Sequence, residues 1–120
     1  MTWQYDQARG DMARDGVLVA TGYAGAGEGK NNPDMQEVHN VGPLPVGAYT
    51  ISAPFNTVAH GPYVLRLTPD PANEMFGRAG FLIHGDSVAH PGTASEGCII
   101  LPRAIRVQIW NSDDAALEVV

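Results

Sequence analysis

The sequence predicts a mostly-β fold with one short helix, and two observations point there. Fourteen glycines and nine prolines are spread along 120 residues rather than gathered into a linker. That distribution suits many short strands joined by turns. Between the turns, stretches such as YVLRLT alternate apolar and polar residues with the two-residue period of a half-buried strand. A chain of this length is expected to form a single domain, residues 1–120, around one hydrophobic core.

From the N-terminus, Trp3 to Gln7 alternates large and polar residues and reads as a first strand. Arg14-Asp15-Gly16 is a hairpin-turn signal, and the β-branched and aromatic run from Val17 to Tyr23 is a second strand. Gly25 to Asp34 (GAGEGKNNPD) is too polar and glycine-rich for an element and reads as a long loop. It lacks the full spacing of a phosphate-binding loop and any helix after it. Gly42-Pro43-Leu44-Pro45-Val46-Gly47 is a stiff turn into a strand over Ala48 to Ser52. Strands are also expected over Tyr63 to Thr68 and Gly80 to His84, with a closing strand over Leu117 to Val120. Pro102 suits a first helical turn, and the apolar spacing after it carries a helix to Asn111.

A formal charge of -6 and a pI near 4.9 argue against nucleic acid or an anionic membrane as the main partner. An acidic, solvated surface or a cationic partner both fit that balance. The single cysteine leaves no internal disulfide to read. The start, MTWQYDQARGDM, lacks the basic and apolar regions of a signal peptide, and no stretch is long and apolar enough for membrane insertion.

The chemistry concentrates in HGDSVAHPGTASEGCI, His84 to Ile99. A thiolate is a nucleophile, and a histidine within reach can take its proton. Backbone N–H groups at a glycine turn can hold the oxyanion that forms on the attacked carbonyl. His84 ends an apolar strand, Gly97 precedes Cys98, and Ile99-Ile100-Leu101 anchors the chain beyond the thiol in the core. Ser95 and Glu96 place polar groups beside the thiol. A free cysteine is also among the most buried residue types, so spacing alone leaves Cys98 open as plain core. His84, His90 and Cys98 match no compact zinc spacing, and His39 and His60 lie far upstream; no metal is expected.

IHGD together with the later SEGCI resembles the signature of YkuD-type L,D-transpeptidases, a His-Gly pair and then Ser-His-Gly-Cys. GKNNPDMQEVHNVGPLPVGAYTI, GFLIHGDS and PGTASEGCIILPRAIR are similar to the small L,D-transpeptidase-like effector domains of type VI secretion. The likeness runs from about Tyr5 to Val120. It implies an L,D-transpeptidase-like β-sandwich with the short helix after the catalytic cysteine. It also implies a cofactor-free L,D-carboxypeptidase or L,D-transpeptidase acting on peptidoglycan tetrapeptide stems. Cys98 would be the acylated nucleophile and His84 the general base and later acid. Gly97 and Cys98 N–H groups would help form the oxyanion hole, and a group near Gly85 or Asp86 would orient the imidazole. Further implied are secretion machinery, a cognate immunity protein, synthesis in the cytoplasm without a signal peptide, and action in the periplasm of a target bacterium.

Two departures from the pattern stand out. Glu96 occupies the position where typical members carry histidine, and its charge should disfavour a thiolate beside it. Ile100 stands where they carry arginine, which leaves Arg78, Arg103 and Arg106 as candidates to bind a substrate carboxylate or as ordinary solvated charge. Tyr23, Asn31 and Asn32 either line the substrate cleft or form a structural turn. The rival reading is a non-catalytic cell-wall-binding or structural domain that keeps the fold.

Overall fold

The structure, a computed structural model, describes residues 2–120. It is mostly β, with nine strands and one α-helix among the described residues. The strands are β1 (Trp3–Tyr5), β2 (Asp11–Arg14), β3 (Val17–Thr21), β4 (Gly47–Ile51), β5 (Phe55–Thr57), β6 (Gly61–Pro69), β7 (Leu82–His84), β8 (Ile99–Ile100) and β9 (Ala116–Val119). The helix α1 spans Arg103–Asn111, between β8 and β9.

Burial alternates as expected in β1 and β4 but not in β6, where the adjacent Val64 and Leu65 are both buried. Trp3 and Tyr5 are buried around an exposed Gln4, and Tyr49 and Ile51 are buried around an exposed Thr50. The first strand stops at Tyr5 rather than Gln7. Asp6 turns the chain by accepting the Ala8 and Arg9 N–H groups, and buried Gln7 instead donates to the Leu44 carbonyl. β2 has no counterpart in the sequence pattern, because DMAR holds one fully buried residue, Met12, and little strand signal. It exists because β1 and β3 pair with it from either side. The Asp15-Gly16 turn therefore joins β2 to β3, with φ values of 52° and 78° at its two central residues. Two positive φ angles are what a tight right-twisted hairpin needs.

β3 ends at Thr21, short of Tyr23, and two 3-10 turns, Gly27–Gly29 and Pro33–Met35, lie in the long loop. β5 and β8, three and two residues long, also lack a counterpart in the sequence pattern. The helix ends at Asn111, where the sequence places its end, but Pro102 is its N-cap rather than part of its first turn.

The strands join in one sheet in the order β3-β2-β1-β9-β4-β6-β7-β8, with β5 added on β6. β9, last in sequence, lies near the middle, parallel to β1 and antiparallel to β4. The two ends of the order meet at one bridge. Just after β3, Tyr23 pairs with Ile100 of β8, exchanging N–H···O bonds at 2.8 and 3.4 Å. The approach leaves no room at Gly22, where a Cβ would lie 1.8 Å from the Ile100 carbonyl oxygen. One core is enclosed, drawn from β1, β2, β4, β6, β7, β8, β9 and α1. Burial of such large apolar side chains is the main favourable term holding the sheet together.

Candidate functional site

The candidate site lies where β7 and β8 run side by side. They are parallel, with Ile83 opposite Ile99 and His84 opposite Ile100. Continuing that register one residue back sets Cys98 level with Leu82. Residues two apart on a strand share a face, so Leu82, His84, Cys98 and Ile100 belong to one side of the sheet. The Leu82 N–H donates to the Cys98 sulfur at 3.3 Å. His84 and Cys98 line one cavity of about 380 Å³, together with His39, His60, Arg78, Phe81 and Glu96.

His84 is buried, and its Nδ1 lies 2.8 Å from the Gly85 carbonyl oxygen. A carbonyl can only accept, so Nδ1 carries the proton and Nε2 is left as the basic nitrogen. Gly85 thus orients the ring through its backbone, while the Asp86 carboxylate is engaged elsewhere. Burial pushes the imidazole below its ordinary value; the Gly85 carbonyl and Asp86 oppose that, and the His60 and Arg106 charges add to it. Burial likewise pushes the Cys98 thiol up, and Glu96 adds to the rise, against the Leu82 N–H and the Arg78 charge. Both shifts favour the uncharged forms, thiol and imidazole, over a thiolate–imidazolium pair. Among the described residues, no hydrogen bond joins the two directly. Such contacts often tighten when substrate binds.

Ser95 holds the loop before the cysteine. Its buried hydroxyl accepts the N–H groups of Gly25 at 2.8 Å and Gly97 at 3.0 Å, and donates to the Cys98 carbonyl at 2.6 Å. The Gly97 N–H, expected to face an oxyanion, is thus already taken. Gly97 itself is required by space, since its φ is +142° and a Cβ would lie 2.6 Å from Arg78 Nη2 and 2.8 Å from Phe81 Cε1.

Arg78 is buried, and its guanidinium donates to the carbonyls of Gln36, Gly42, Pro43 and Glu96. Four hydrogen bonds to backbone leave at most one of its five donors, too few to grip a carboxylate in a bidentate way, and the buried side chain is not ordinary solvated charge either. What it offers the cavity is its charge. Arg106 is similarly committed, to the carbonyls of Leu101, Pro62 and Tyr63. Arg103 begins α1 with its guanidinium 5.6 Å from the Tyr63 ring centre and does not line the cavity. Ile100 is buried at the Tyr23 bridge, where an arginine would have to abandon the core.

Tyr23, Asn31 and Asn32 line neither this cavity nor the one beyond His84. Asn31, at φ 53°, accepts the Ala24 N–H, and Asn32 caps the Pro33–Met35 turn. Both are turn residues. The Tyr23 hydroxyl works nearer the site, donating to Asp86 Oδ1 at 2.5 Å and accepting the Ala94 N–H at 3.0 Å. It ties together the two ends of the loop between β7 and Cys98. Asp86 also accepts the Ser87 and Gly92 N–H groups. Although burial works against it, these bonds hold the Asp86 carboxyl below its ordinary value.

His60, which the sequence places far upstream of the thiol, reaches the site through the fold. It sits in the turn between β5 and β6, with its ring against that of His84, centroids 4.3 Å apart. Nothing local marks it, since AHGP reads as an ordinary turn. His90 lines neither cavity. Among the described residues, no three His, Cys, Asp or Glu side chains are grouped to hold a metal ion. No helix among them is long and apolar enough to cross a membrane.

Comparison with protein families matches the Tlde1 domain over residues 19–119. No curated protein and no solved structure matches the chain.

Proposed function

The chain belongs to the Tlde1 domain family, a family of type VI secretion effectors, and from that premise we propose a cysteine-dependent L,D-carboxypeptidase or L,D-transpeptidase acting on peptidoglycan tetrapeptide stems. The observation that carries the reading is the pairing of β7 with β8, which puts the lone thiol and a buried, oriented imidazole into one cavity. A wall-binding module has no use for a thiol that receives a backbone N–H beside an oriented histidine.

In this reading the diaminopimelate carbonyl of the stem enters the cavity over the Cys98 sulfur. Because the site favours the uncharged thiol and imidazole, the proton passes from sulfur to His84 Nε2 as the carbon–sulfur bond forms. The Cys98 N–H supplies a donor to the oxyanion, and the buried Arg78 charge favours its negative sign. Collapse breaks the bond to the D-alanine nitrogen, which takes the proton from His84. Water, or the amine of an acceptor, then gives its proton to His84 and attacks the thioester. The thiolate leaves and is reprotonated by His84, returning the site to its starting state.

Secretion machinery and an immunity protein accord with effector-family membership, and the wall substrate sets the periplasm of a target bacterium as the place of action. The test is incubation with tetrapeptide muropeptides and detection of free D-alanine by mass spectrometry. Wild type should release D-alanine, and Cys98→Ala should release none. No product from wild type, or equal product from Cys98→Ala, would leave the wall-binding reading in its place.

A further inference from the structure

His60 lies at a junction that the proposed reaction leaves without a role. It and His84 line the 380 Å³ cavity that holds Cys98, and both also line a second cavity of about 590 Å³, with Asp86 and Arg106. The two rings are in contact and tilted, with their planes inclined by 32°. The His60 backbone is fixed independently, its N–H donating to Thr57 Oγ1 at 2.7 Å within the β5–β6 turn. His84 is buried while His60 is exposed, so His60 closes the solvent side of the buried ring.

We propose that His60 is a positioning residue for the His84 imidazole, clamping the ring at the junction of the two cavities and coupling its own charge to that of His84. The Gly85 carbonyl fixes one ring nitrogen but leaves the ring free to tilt about that bond, and a neighbouring ring in contact removes the tilt. A tilt of the ring displaces Nε2, the atom that must reach the sulfur and the leaving nitrogen in turn. With the ring centroids 4.3 Å apart, a charge on His60 disfavours protonation of His84. The other groups facing His84 set the balance. Arg106 on α1 adds to that effect, Asp86 after β7 opposes it, and Cys98 is favoured as the uncharged thiol.

The catalytic consequence rests on the reading of His84 as proton carrier, but the coupling does not, and two readouts separate them. The first is the pH titration of the His84 ring by NMR in the full chain, for wild type, His60→Gln and His60→Ala. Removing the His60 charge should move the His84 midpoint upward in both variants, and high salt should shrink the difference from wild type. An unchanged or lowered midpoint would overturn the coupling. The second is the pH profile of D-alanine release. His60→Ala should lower kcat by roughly tenfold at its plateau with little change in KM, as expected for a misplaced proton carrier. His60→Gln, which keeps a planar group against the ring, should recover part of that loss. A His60→Ala variant as fast as wild type would overturn the clamp. If wild type itself releases no D-alanine, the proposed activity fails, and the NMR titration still decides the coupling.

Discussion

The backbone N–H of Leu82 points at the Cys98 sulfur from 3.3 Å, across a strand pairing that joins residues sixteen apart in the chain. That donor favours a thiolate, as does Arg78, yet burial and Glu96 outweigh both. The thiol should therefore alkylate slowly at neutral pH, with a midpoint above that of free cysteine. Glu96→Gln removes a negative charge and should lower the midpoint and speed alkylation at pH 7 by about two- to tenfold. Iodoacetamide labelling with mass spectrometry across pH reads both quantities. A slower Glu96→Gln thiol would contradict the electrostatics of the site.

Ser95→Ala removes one hydroxyl and leaves two N–H groups, of Gly25 and Gly97, without their partner. Buried donors left unpaired are costly, and the unfolding free energy should fall by roughly 2–3 kcal/mol. Urea denaturation measures it. A loss below about 0.5 kcal/mol, within the range of ordinary surface changes, would mean that this hydroxyl does not hold the loop.

Gly97→Ala should be worse than its single methyl suggests. The backbone there has φ +142°, and the new Cβ would press on the Arg78 guanidinium and the Phe81 ring. Strained backbone alone costs about 1–3 kcal/mol. Circular dichroism melts should show a clear drop in midpoint, and D-alanine release should fall even at temperatures where the variant is folded.

Tyr23→Phe tests the tie between the two ends of the loop. It deletes the donor to Asp86 and the acceptor of the Ala94 N–H while keeping the ring beneath Lys30. Stability should drop by about 1 kcal/mol, and Ala94 should exchange its amide hydrogen faster than in wild type. Unchanged exchange at Ala94 would show that the hydroxyl bond is not what protects it. The phenol of Tyr23, pushed up to about 12 chiefly by burial and then by its bond to Asp86, should also titrate late in wild type.

Acid should weaken the fold in two stages of opposite origin. His84 is held below its ordinary value, so the unfolded chain binds the extra proton first, and stability falls as pH drops through about 6.5. Asp86 is also held low, but its contribution is present above about pH 4 and is lost as pH falls through its folded value. Urea midpoints at pH 7.5 and 5.5 should differ, and the difference should shrink in His84→Gln. A His84→Gln protein with the full wild-type pH dependence would place the effect on other groups.

Several elements announce themselves locally. Alternation marks β1, β4 and β6, paired glycine and aspartate mark the β2–β3 turn, and Pro102 with its apolar spacing marks α1. β2, β5 and β8 do not, because DMAR, FNT and II show no alternation of their own. They are defined by neighbours distant in sequence. The site divides in the same way. The residue types and their order identify Cys98 and His84 as a candidate pair, whereas His60 lies in a turn with no local mark.

The sequence by itself determined the fold class, the one helix, and a lone thiol downstream of a strand-ending histidine. These are local properties, written in period, turn chemistry and residue type. Only the tertiary structure decided what the surrounding residues do. It turned Ser95 into the anchor of the loop, spent Arg78 and Arg106 on backbone carbonyls, made Asn31 and Asn32 turn residues, and set His60 against His84. Each outcome depends on which groups long-range strand pairing brings within reach of one another, about 3 Å for a hydrogen bond, a matter that no short stretch of chain encodes.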